Sequence, residues 1–253
     1  MYMKVTFLGT GTSQGVPVIA CNCQVCLSKD TKDNRCRTSI MLTYNNKNIV
    51  IDTGPDFRQQ MLRENVQQLD AILFTHEHKD HIAGMDDIRA FNFKSRSDMP
   101  VYATKQVQEG LKKEFHYVFS GANYPGVPKV LLNDMTLQPF ELFGKTITPI
   151  EVMHYKLPVT AFRIDNFTYI TDANSISDQE KEKIKGTEVL VINALRKEEH
   201  ISHFNLAQAL EFIAEIKPKK AYLTHISHLL GSHQDISLEL PENIFMAYDG
   251  LVI

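Results

Sequence analysis

The chain has 253 residues, a formal net charge of −3 and a hydrophobic content of 43%, values that are ordinary for a globular protein with a sizeable core. It lacks an 18-residue apolar run, and its N-terminus enters a strand-like alternation at Met1 instead of the apolar stretch of a signal peptide. These features argue against a membrane-spanning helix and predict a cytoplasmic location. The basic residues are scattered, which argues against binding of long nucleic acid.

Predicted strands and helices alternate along the whole chain. In the first half, strands are expected at residues 4–8, 38–44, 48–52, 71–74 and 101–103, with helices at 57–64, 81–91 and 105–117. In the second half, strands are expected at 146–152, 159–165, 167–171, 189–194, 221–224 and 245–248, with an amphipathic helix at 205–216 that ends before Pro218. This pattern predicts an α/β protein. Because the sequence shows no linker or repeat, we expect residues 1–253 to form one domain.

Three histidines follow the short apolar strand predicted at 71–74. Residues i and i+2 of an extended segment share a face, so His76 and His78 can converge on one metal ion. The turn that follows carries Asp80 and His81 towards a neighbouring position. Neutral imidazole and carboxylate are ligands that zinc accepts, and a catalytic zinc keeps a place for water. The spacing H-x-H-x-D-H therefore predicts a catalytic metal site.

The segment T-H-x-H-x-D-H resembles the signature of the metallo-β-lactamase superfamily. Further elements of that family follow in the expected order over nearly the whole chain, namely Gly9-Thr-Gly11, Ile51-Asp-Thr-Gly54, His154, Asp172 and His225, of which the last three stand at or just beyond the ends of predicted strands. The resemblance implies an αββα sandwich, in which two mixed sheets pack face to face with helices outside.

A dinuclear metal centre is also implied by the resemblance. It assigns His76, His78 and His154 to one metal and Asp80, His81 and His225 to the other, with Asp172 bridging the pair. Zinc is expected in both positions, with Mn²⁺ as the alternative, and a metal-bridging hydroxide is expected to be the nucleophile. Two divalent cations with two carboxylates leave a positive site, which suits an anionic substrate. Asp52 is interpreted as a structural residue of the Asp-Thr-Gly turn.

Three of the four cysteines, Cys21, Cys23 and Cys26, belong to one loop at about residues 20–37. Thiolates favour closed structural zinc sites with four ligands, so Cys36 or a distant histidine must supply the fourth. The C-x-C-x₂-C loop is similar to one in PhnP-type cyclic phosphate phosphodiesterases. That resemblance implies a structural zinc completed by a histidine just beyond the last catalytic histidine. His228 matches this position and is preferred over Cys36.

A general acid is expected near the metals, because a phosphodiester leaving group departs more easily when it is protonated. The resemblance implies a histidine just before a helix in this role. His203 matches it best, and His200 is the reserve candidate.

The leading interpretation is a dinuclear-metal phosphodiesterase that acts on a small cyclic or nucleotide-like phosphate. The alternatives are a tRNA-maturation-type endonuclease, a thioester or lactone hydrolase of the same fold, and a non-catalytic metal-stabilised binding protein. The resemblance also suggests a homodimer.

Overall fold

The structure is a computed structural model that describes residues 3–121 and 125–253, so the start of the N-terminal alternation at Met1 and Tyr2 lies outside the described residues. Contacts divide the chain into two compact units. Unit 1 comprises Met1–Leu8, Ser39–Thr136 and Gly250–Ile253, and unit 2 comprises Gly9–Thr38 and Leu137–Asp249.

Unit 1 is built on a mixed sheet with the strand order β1-β2-β3-β4-β5-β6. The strands are β1 (Lys4–Gly9), β2 (Ser39–Tyr44), β3 (Lys47–Ile51), β4 (Ala71–Leu73), β5 (Met99–Ala103) and β6 (Val130–Asp134). The helices are α1 (Phe57–Arg63), α2 (Lys79–Ile82), α3 (Arg89–Ser95), α4 (Lys105–Glu114) and α5 (His116–Phe119), with a 3₁₀ turn at Met85–Ile88.

The parallel strands of unit 1 bring polar side chains to one edge of the sheet. β3 pairs with β4 in parallel, with Ile51 opposite Leu73. The two chains therefore leave the sheet side by side, one into Asp52 and the other towards His76. An apolar core that includes Val50, Ile72, Phe57 and other buried residues anchors both strand ends. The site residues of this unit thus extend from well-packed strands.

Unit 2 is built on a second mixed sheet with the order β13-β12-β11-β10-β9-β8-β7. Its strands are β7 (Phe140–Leu142), β8 (Lys145–His154), β9 (Leu157–Ile164), β10 (Phe167–Tyr169), β11 (Val189–Asn193), β12 (Lys220–Thr224) and β13 (Ile244–Met246). Its helices are α6 (Asp178–Ile184), α7 (Leu206–Ile216) and α8 (His233–Glu239), with a 3₁₀ turn at Thr31–Asp33.

The strand directions of unit 2 collect three chain segments at one edge. β10, β11 and β12 are mutually parallel, and β8 runs in the same direction because two antiparallel pairings separate it from β10. His154 is the last residue of β8, and the segments that leave β10 and β12 carry Asp172 and His225. The carboxyl edge of such a sheet is where functional residues usually gather.

Helix α7 shows how local sequence signals fix one element of unit 2. The side chain of Asn205 accepts a hydrogen bond from the backbone of Gln208, whose side chain returns a bond to the backbone of Asn205. Such a capping box stabilises a helix by about 1 kcal/mol. Leu206, Ala209 and Phe212 then face a core that also contains Leu190 and Leu223 from the sheet, so the predicted helix is confirmed.

Two predicted helices are interrupted in the structure. The helix expected at 81–91 is divided into α2, a 3₁₀ turn and α3. The N–H of Gly84 donates to the carbonyl of Thr53 at 2.8 Å, and Gly84 has the dihedrals φ −88° and ψ 3°, so the regular helix is interrupted where the chain packs against the Asp-Thr-Gly turn. The helix expected at 105–117 ends at Glu114, because Phe115 has the non-helical dihedrals φ −110° and ψ 45°.

Strands β6 and β7 and helices α6 and α8 were not predicted from the sequence. Otherwise the prediction of an α/β protein with two mixed sheets is confirmed, while the single-domain assignment stays a prediction. Within the described residues, no helix combines the length and apolar character needed to cross a bilayer. The cytoplasmic location stays a prediction.

Candidate metal centres

Unit 1 gathers three imidazoles in the loop that follows β4. His76 Nε2 lies 3.0 Å from His78 Nδ1, and the rings of His76 and His81 have centroids 4.2 Å apart. His81 Nε2 lies 3.2 Å from a carboxylate oxygen of Asp80. Two nitrogen ligands at 2.0–2.1 Å from one tetrahedral zinc lie about 3.3 Å apart, so the His76–His78 spacing is close to that of two ligands of a shared ion. This loop brings together all four residues that the motif predicted.

Asp52 anchors this loop through three hydrogen bonds. Its carboxylate accepts hydrogen bonds from the backbone and the hydroxyl of Thr75 at 2.9 and 2.8 Å, and from His81 Nδ1 at 2.7 Å. Burial raises the pKa of Asp52, while the hydrogen bonds from His81 and Thr75 oppose that shift. Because Nδ1 of His81 is engaged by Asp52, Nε2 is the nitrogen left to face a metal.

The fit of the loop against the turn depends on a glycine. The His81 carbonyl accepts from the backbone of Thr53 at 2.8 Å, and the Thr53 carbonyl accepts from the backbone of Gly84 at 2.8 Å. A side chain at Gly84 would collide with Gly54 and Phe57. Sequence reasoning did not identify this role, since the glycine's partner lies thirty residues away.

Unit 2 gathers its own imidazoles around Asp172. One carboxylate oxygen of Asp172 lies 3.2 Å from His203 Nε2 and 3.2 Å from His225 Nε2. His154 packs edge-on against His203 with ring centroids 4.5 Å apart, and ligand atoms of His154, Asp172 and His203 lie within 4.8 Å of one another. An imidazole and carboxylate cluster of this size is suited to a divalent cation.

Two ligand candidates of this cluster have backbone conformations that favour glycine. Asp172 has φ 53° and His225 has φ 54°. Left-handed conformations are uncommon for residues other than glycine and concentrate at functional sites, where the surrounding structure enforces them. At Asp172 the enforcement comes from Asn193, whose side chain donates to the carbonyl and accepts from the N–H of Ala173, both at 2.9 Å. Sequence reasoning missed Asn193, although its position at the end of a buried strand was a signal.

The loop before α7 contains both general-acid candidates. His154 Nδ1 donates to the carbonyl of Ser202 at 2.8 Å, which orients its Nε2 towards the cluster. His203 Nδ1 lies 3.1 Å from the Ser202 hydroxyl and 3.2 Å from His200 Nδ1. Burial lowers the pKa of His203 to about 4 despite the opposing effect of Asp172, and burial also lowers the pKa of His200. His203 is a buried member of the cluster, whereas His200 is less buried and contacts the cluster at Nδ1 of His203.

A second candidate centre lies within unit 2 and joins the loop that contains three cysteines to His228. The Sγ atoms of Cys21, Cys23 and Cys26 lie 3.3, 3.4 and 3.5 Å from Nδ1 of His228. In a tetrahedral zinc site with Zn–S of about 2.3 Å and Zn–N of about 2.0 Å, sulfur and nitrogen lie about 3.5 Å apart. The distances from the three sulfur atoms to His228 Nδ1 therefore fit a tetrahedral zinc site, and all four donor atoms lie within 4.8 Å of one another.

Backbone contacts give these thiols different acidities. The N–H of Cys26 and the ring of His228 lower the pKa of Cys23 to about 6, whereas burial raises the pKa of Cys26 to about 11. Cys36 is not part of the cluster, and its backbone N–H donates to Asp249 at 2.8 Å. Of the two fourth ligands that the sequence left open, the structure brings His228 to the thiols.

The matches to known proteins agree with this fold. Residues 47–226 match the family described as the beta-lactamase superfamily domain. The chain belongs to the metallo-β-lactamase superfamily, whose members include metal-dependent hydrolases, and the predicted resemblance is confirmed.

Within the superfamily, a diphosphatase of the PhnP family is similar over the whole chain. Its crystal structure has 38% sequence identity and a TM-score of 0.94, covering 100% of this chain and 97% of that one. Zn²⁺-bound PqqB from Methylobacterium extorquens, with 19% identity and a TM-score of 0.81 over 99% of each chain, shares the fold.

Two curated relatives differ in their names. An octanoyltransferase of Porphyromonas gingivalis is 40% identical over 252 residues, which are 98% of this chain and 51% of the relative, so the chain spans about half of that protein's length. The exodeoxyribonuclease YycJ of Bacillus anthracis is 26% identical over 215 residues, covering 72% of this chain and 75% of the relative.

Proposed function

We propose that the protein is a dinuclear-metal hydrolase that cleaves small cyclic or nucleotide-like phosphodiesters. The observation that carries the proposal is the position of Asp172 among the imidazoles of unit 2. One of its oxygens lies 3.2 Å from Nε2 of His225, and ligand atoms of Asp172 and His154 lie within 4.8 Å of each other, an arrangement suited to a carboxylate shared by two metals. The likeness to the PhnP-family diphosphatase supports phosphorus as the reacting atom, because it extends over the whole chain at 38% identity.

The proposed ligand set follows the two clusters. His76, His78 and His154 hold one metal, Asp80, His81 and His225 hold the other, and Asp172 is shared. Divalent cations in this set supply an activated water and neutralise the charge that develops on the phosphoryl oxygens. The donors are nitrogen and carboxylate oxygen, which suit zinc and, as the alternative, manganese. The cysteine cluster with His228 is proposed to hold a third, structural zinc.

Other side chains have separate roles around the proposed pair of catalytic metals. His203 is placed to donate a proton from Nε2 to the leaving oxygen, while Ser202 holds its Nδ1. Because burial lowers the pKa of His203, we expect the anionic substrate beside it to raise that pKa, so that the ring is protonated before it donates. Asp52 orients His81, and the carbonyl of Ser202 orients His154. Only two of the proposed ligands of the metal pair, Asp80 and Asp172, are acidic. Two carboxylates leave two divalent cations with a net positive charge, and this charge favours an anionic substrate.

Hydrolysis of an acyl thioester is the second candidate, and the relative named octanoyltransferase favours it. The same metals could polarise an acyl carbonyl, but a thiolate leaves without needing a proton from His203. The two reactions therefore differ in how strongly they depend on this histidine.

The test compares three substrates on metal-loaded protein: bis(p-nitrophenyl) phosphate, an octanoyl thioester and a lactone, each with and without chelator. We expect chelator-sensitive hydrolysis of the phosphodiester and its loss in His76→Ala, with His116→Ala as the matched surface control. Hydrolysis of the thioester alone would replace the proposal with the second candidate. Chelator-resistant activity, or none on any substrate, would refute it.

A further inference from the structure

The hairpin that follows His154 presents an aromatic side chain where glycine is favoured. His154 pairs with Leu157, so Tyr155 and Lys156 form a two-residue turn between β8 and β9. Tyr155 has φ 59°, a conformation that bulky residues rarely adopt and that tight hairpins usually assign to glycine. Its side chain is 51% exposed. A large aromatic ring is thus held in an unfavourable backbone position next to a proposed metal ligand.

A second exposed apolar side chain is tied to this turn. Asn174 accepts a hydrogen bond from the backbone of Tyr155 at 2.8 Å and donates to the carbonyl of Ile201 at 3.2 Å. Ile201 is 67% exposed and lies in the same loop as His200 and His203. The Asn174 side chain therefore fixes the spacing between the hairpin, which exposes Tyr155, and the loop before α7, which exposes Ile201.

Each of the two residues is next in sequence to a residue that contacts the histidine cluster of unit 2 or belongs to it. Tyr155 directly follows His154, whose ring packs against His203. Ile201 directly precedes Ser202, whose carbonyl accepts from His154. The ammonium of Lys156 lies 5.2 Å from the centre of the Tyr155 ring and adds a cation to this group. We call Tyr155, Lys156 and Ile201 the rim. The rim thus combines a planar apolar surface with a positive charge beside the proposed reaction centre.

We propose that Tyr155 and Ile201 bind the planar organic group of the substrate, which makes a nucleobase-bearing phosphodiester the favoured substrate class. An aromatic side chain stacks on any base because every base has a flat face, so the contact selects for a base without reading its identity. Lys156 attracts the phosphate of the same ligand. This inference rests on the proposed phosphodiesterase function and narrows its substrate.

The test uses two substrates with the same five-membered cyclic phosphate, adenosine 2′,3′-cyclic phosphate and glycerol 1,2-cyclic phosphate. Tyr155→Asn removes the ring and keeps a residue that tolerates positive φ, whereas Tyr155→Phe keeps the ring. We expect Tyr155→Asn to raise KM roughly 5- to 100-fold for the adenosine substrate, with kcat unchanged, and to leave the glycerol substrate unaffected. Tyr155→Phe should restore the low KM.

Calorimetric binding of AMP and of glycerol phosphate to the metal-loaded protein separates the two proposals. If Tyr155→Asn weakens AMP binding alone, the rim proposal stands whatever the rate of hydrolysis. If Tyr155→Asn hydrolyses both cyclic phosphates with the same KM as wild type and binds AMP and glycerol phosphate with the same affinity as wild type, the proposal for Tyr155 and Ile201 is wrong. The proposed phosphodiesterase function is not affected by that result. If wild type hydrolyses neither substrate nor bis(p-nitrophenyl) phosphate, the proposed function itself fails.

Discussion

The hydrogen bond between Asp52 and His81 offers a sharp test of how the protein prepares a metal ligand. Both side chains are fully buried, and the Asp52 carboxylate accepts from His81 Nδ1 at 2.7 Å and twice from Thr75. Asp52→Asn keeps the shape and one acceptor for Thr75. Its amide group, however, turns donor hydrogens towards Nδ1 and so favours the imidazole tautomer with the proton on Nε2.

That tautomer cannot bind a metal through Nε2 until the proton moves. Loss of such an outer partner costs about 10- to 100-fold in metal affinity or activity. We therefore expect Asp52→Asn to weaken binding of the catalytic metal that His81 is proposed to hold by that factor, measured in a zinc titration against a competing chelator. Activity on bis(p-nitrophenyl) phosphate should recover at high zinc concentration.

The matched control is Asp70→Asn, which removes a largely buried carboxylate of the same unit that pairs with Lys47. It should bind zinc like wild type. Unchanged zinc affinity in Asp52→Asn, or an equal loss in both variants, would refute the orientation argument.

Three further predictions follow from other parts of the chain. Cys23→Ser should reduce the zinc content from three to two per chain and lower activity by loosening the turn between the two centres, whereas Cys36→Ser should retain three; two zincs with full activity in Cys23→Ser would remove the structural site. His203→Ala should keep its metals but lower kcat roughly 10²- to 10⁴-fold, and an unchanged rate would transfer the acid role to His200 or to solvent. Burial lowers the pKa of His233 to about 4, so this side chain is neutral in the folded chain and takes up a proton on unfolding below about pH 6.5. Its stabilising contribution is therefore present above that pH and is lost as the pH falls towards 4. Urea unfolding at pH 7 and pH 5 should show a smaller acid-induced loss, by about 1–2 kcal/mol, in His233→Gln, and equal losses would contradict this.

The sequence predicted most elements whose apolar pattern is strong. β3, β4, β11 and β12 have buried residues along most of their length, and α7 carries both a cap and an apolar face. Helix α6 was missed because, apart from Glu180 and Ile184, its residues are not buried, which leaves too weak a period to detect. Local patterns thus sufficed where burial is continuous.

The candidate site was predicted to a similar degree and for a similar reason. His76, His78, Asp80 and His81 lie in one short segment, so their convergence follows from local geometry. The contacts of Asp52 with His81 and of Asn193 with Ala173 join residues 29 and 20 positions apart, respectively. Such contacts depend on how strands are ordered in a sheet, which spacing alone does not specify.

The most direct test of the central claim is metal content measured together with phosphodiesterase activity. Purified protein should contain three zinc equivalents per chain; removal of two by a mild chelator should abolish hydrolysis of bis(p-nitrophenyl) phosphate, and two added equivalents should restore it. A fully active preparation with a single catalytic metal, or activity that survives complete metal removal, would contradict the account.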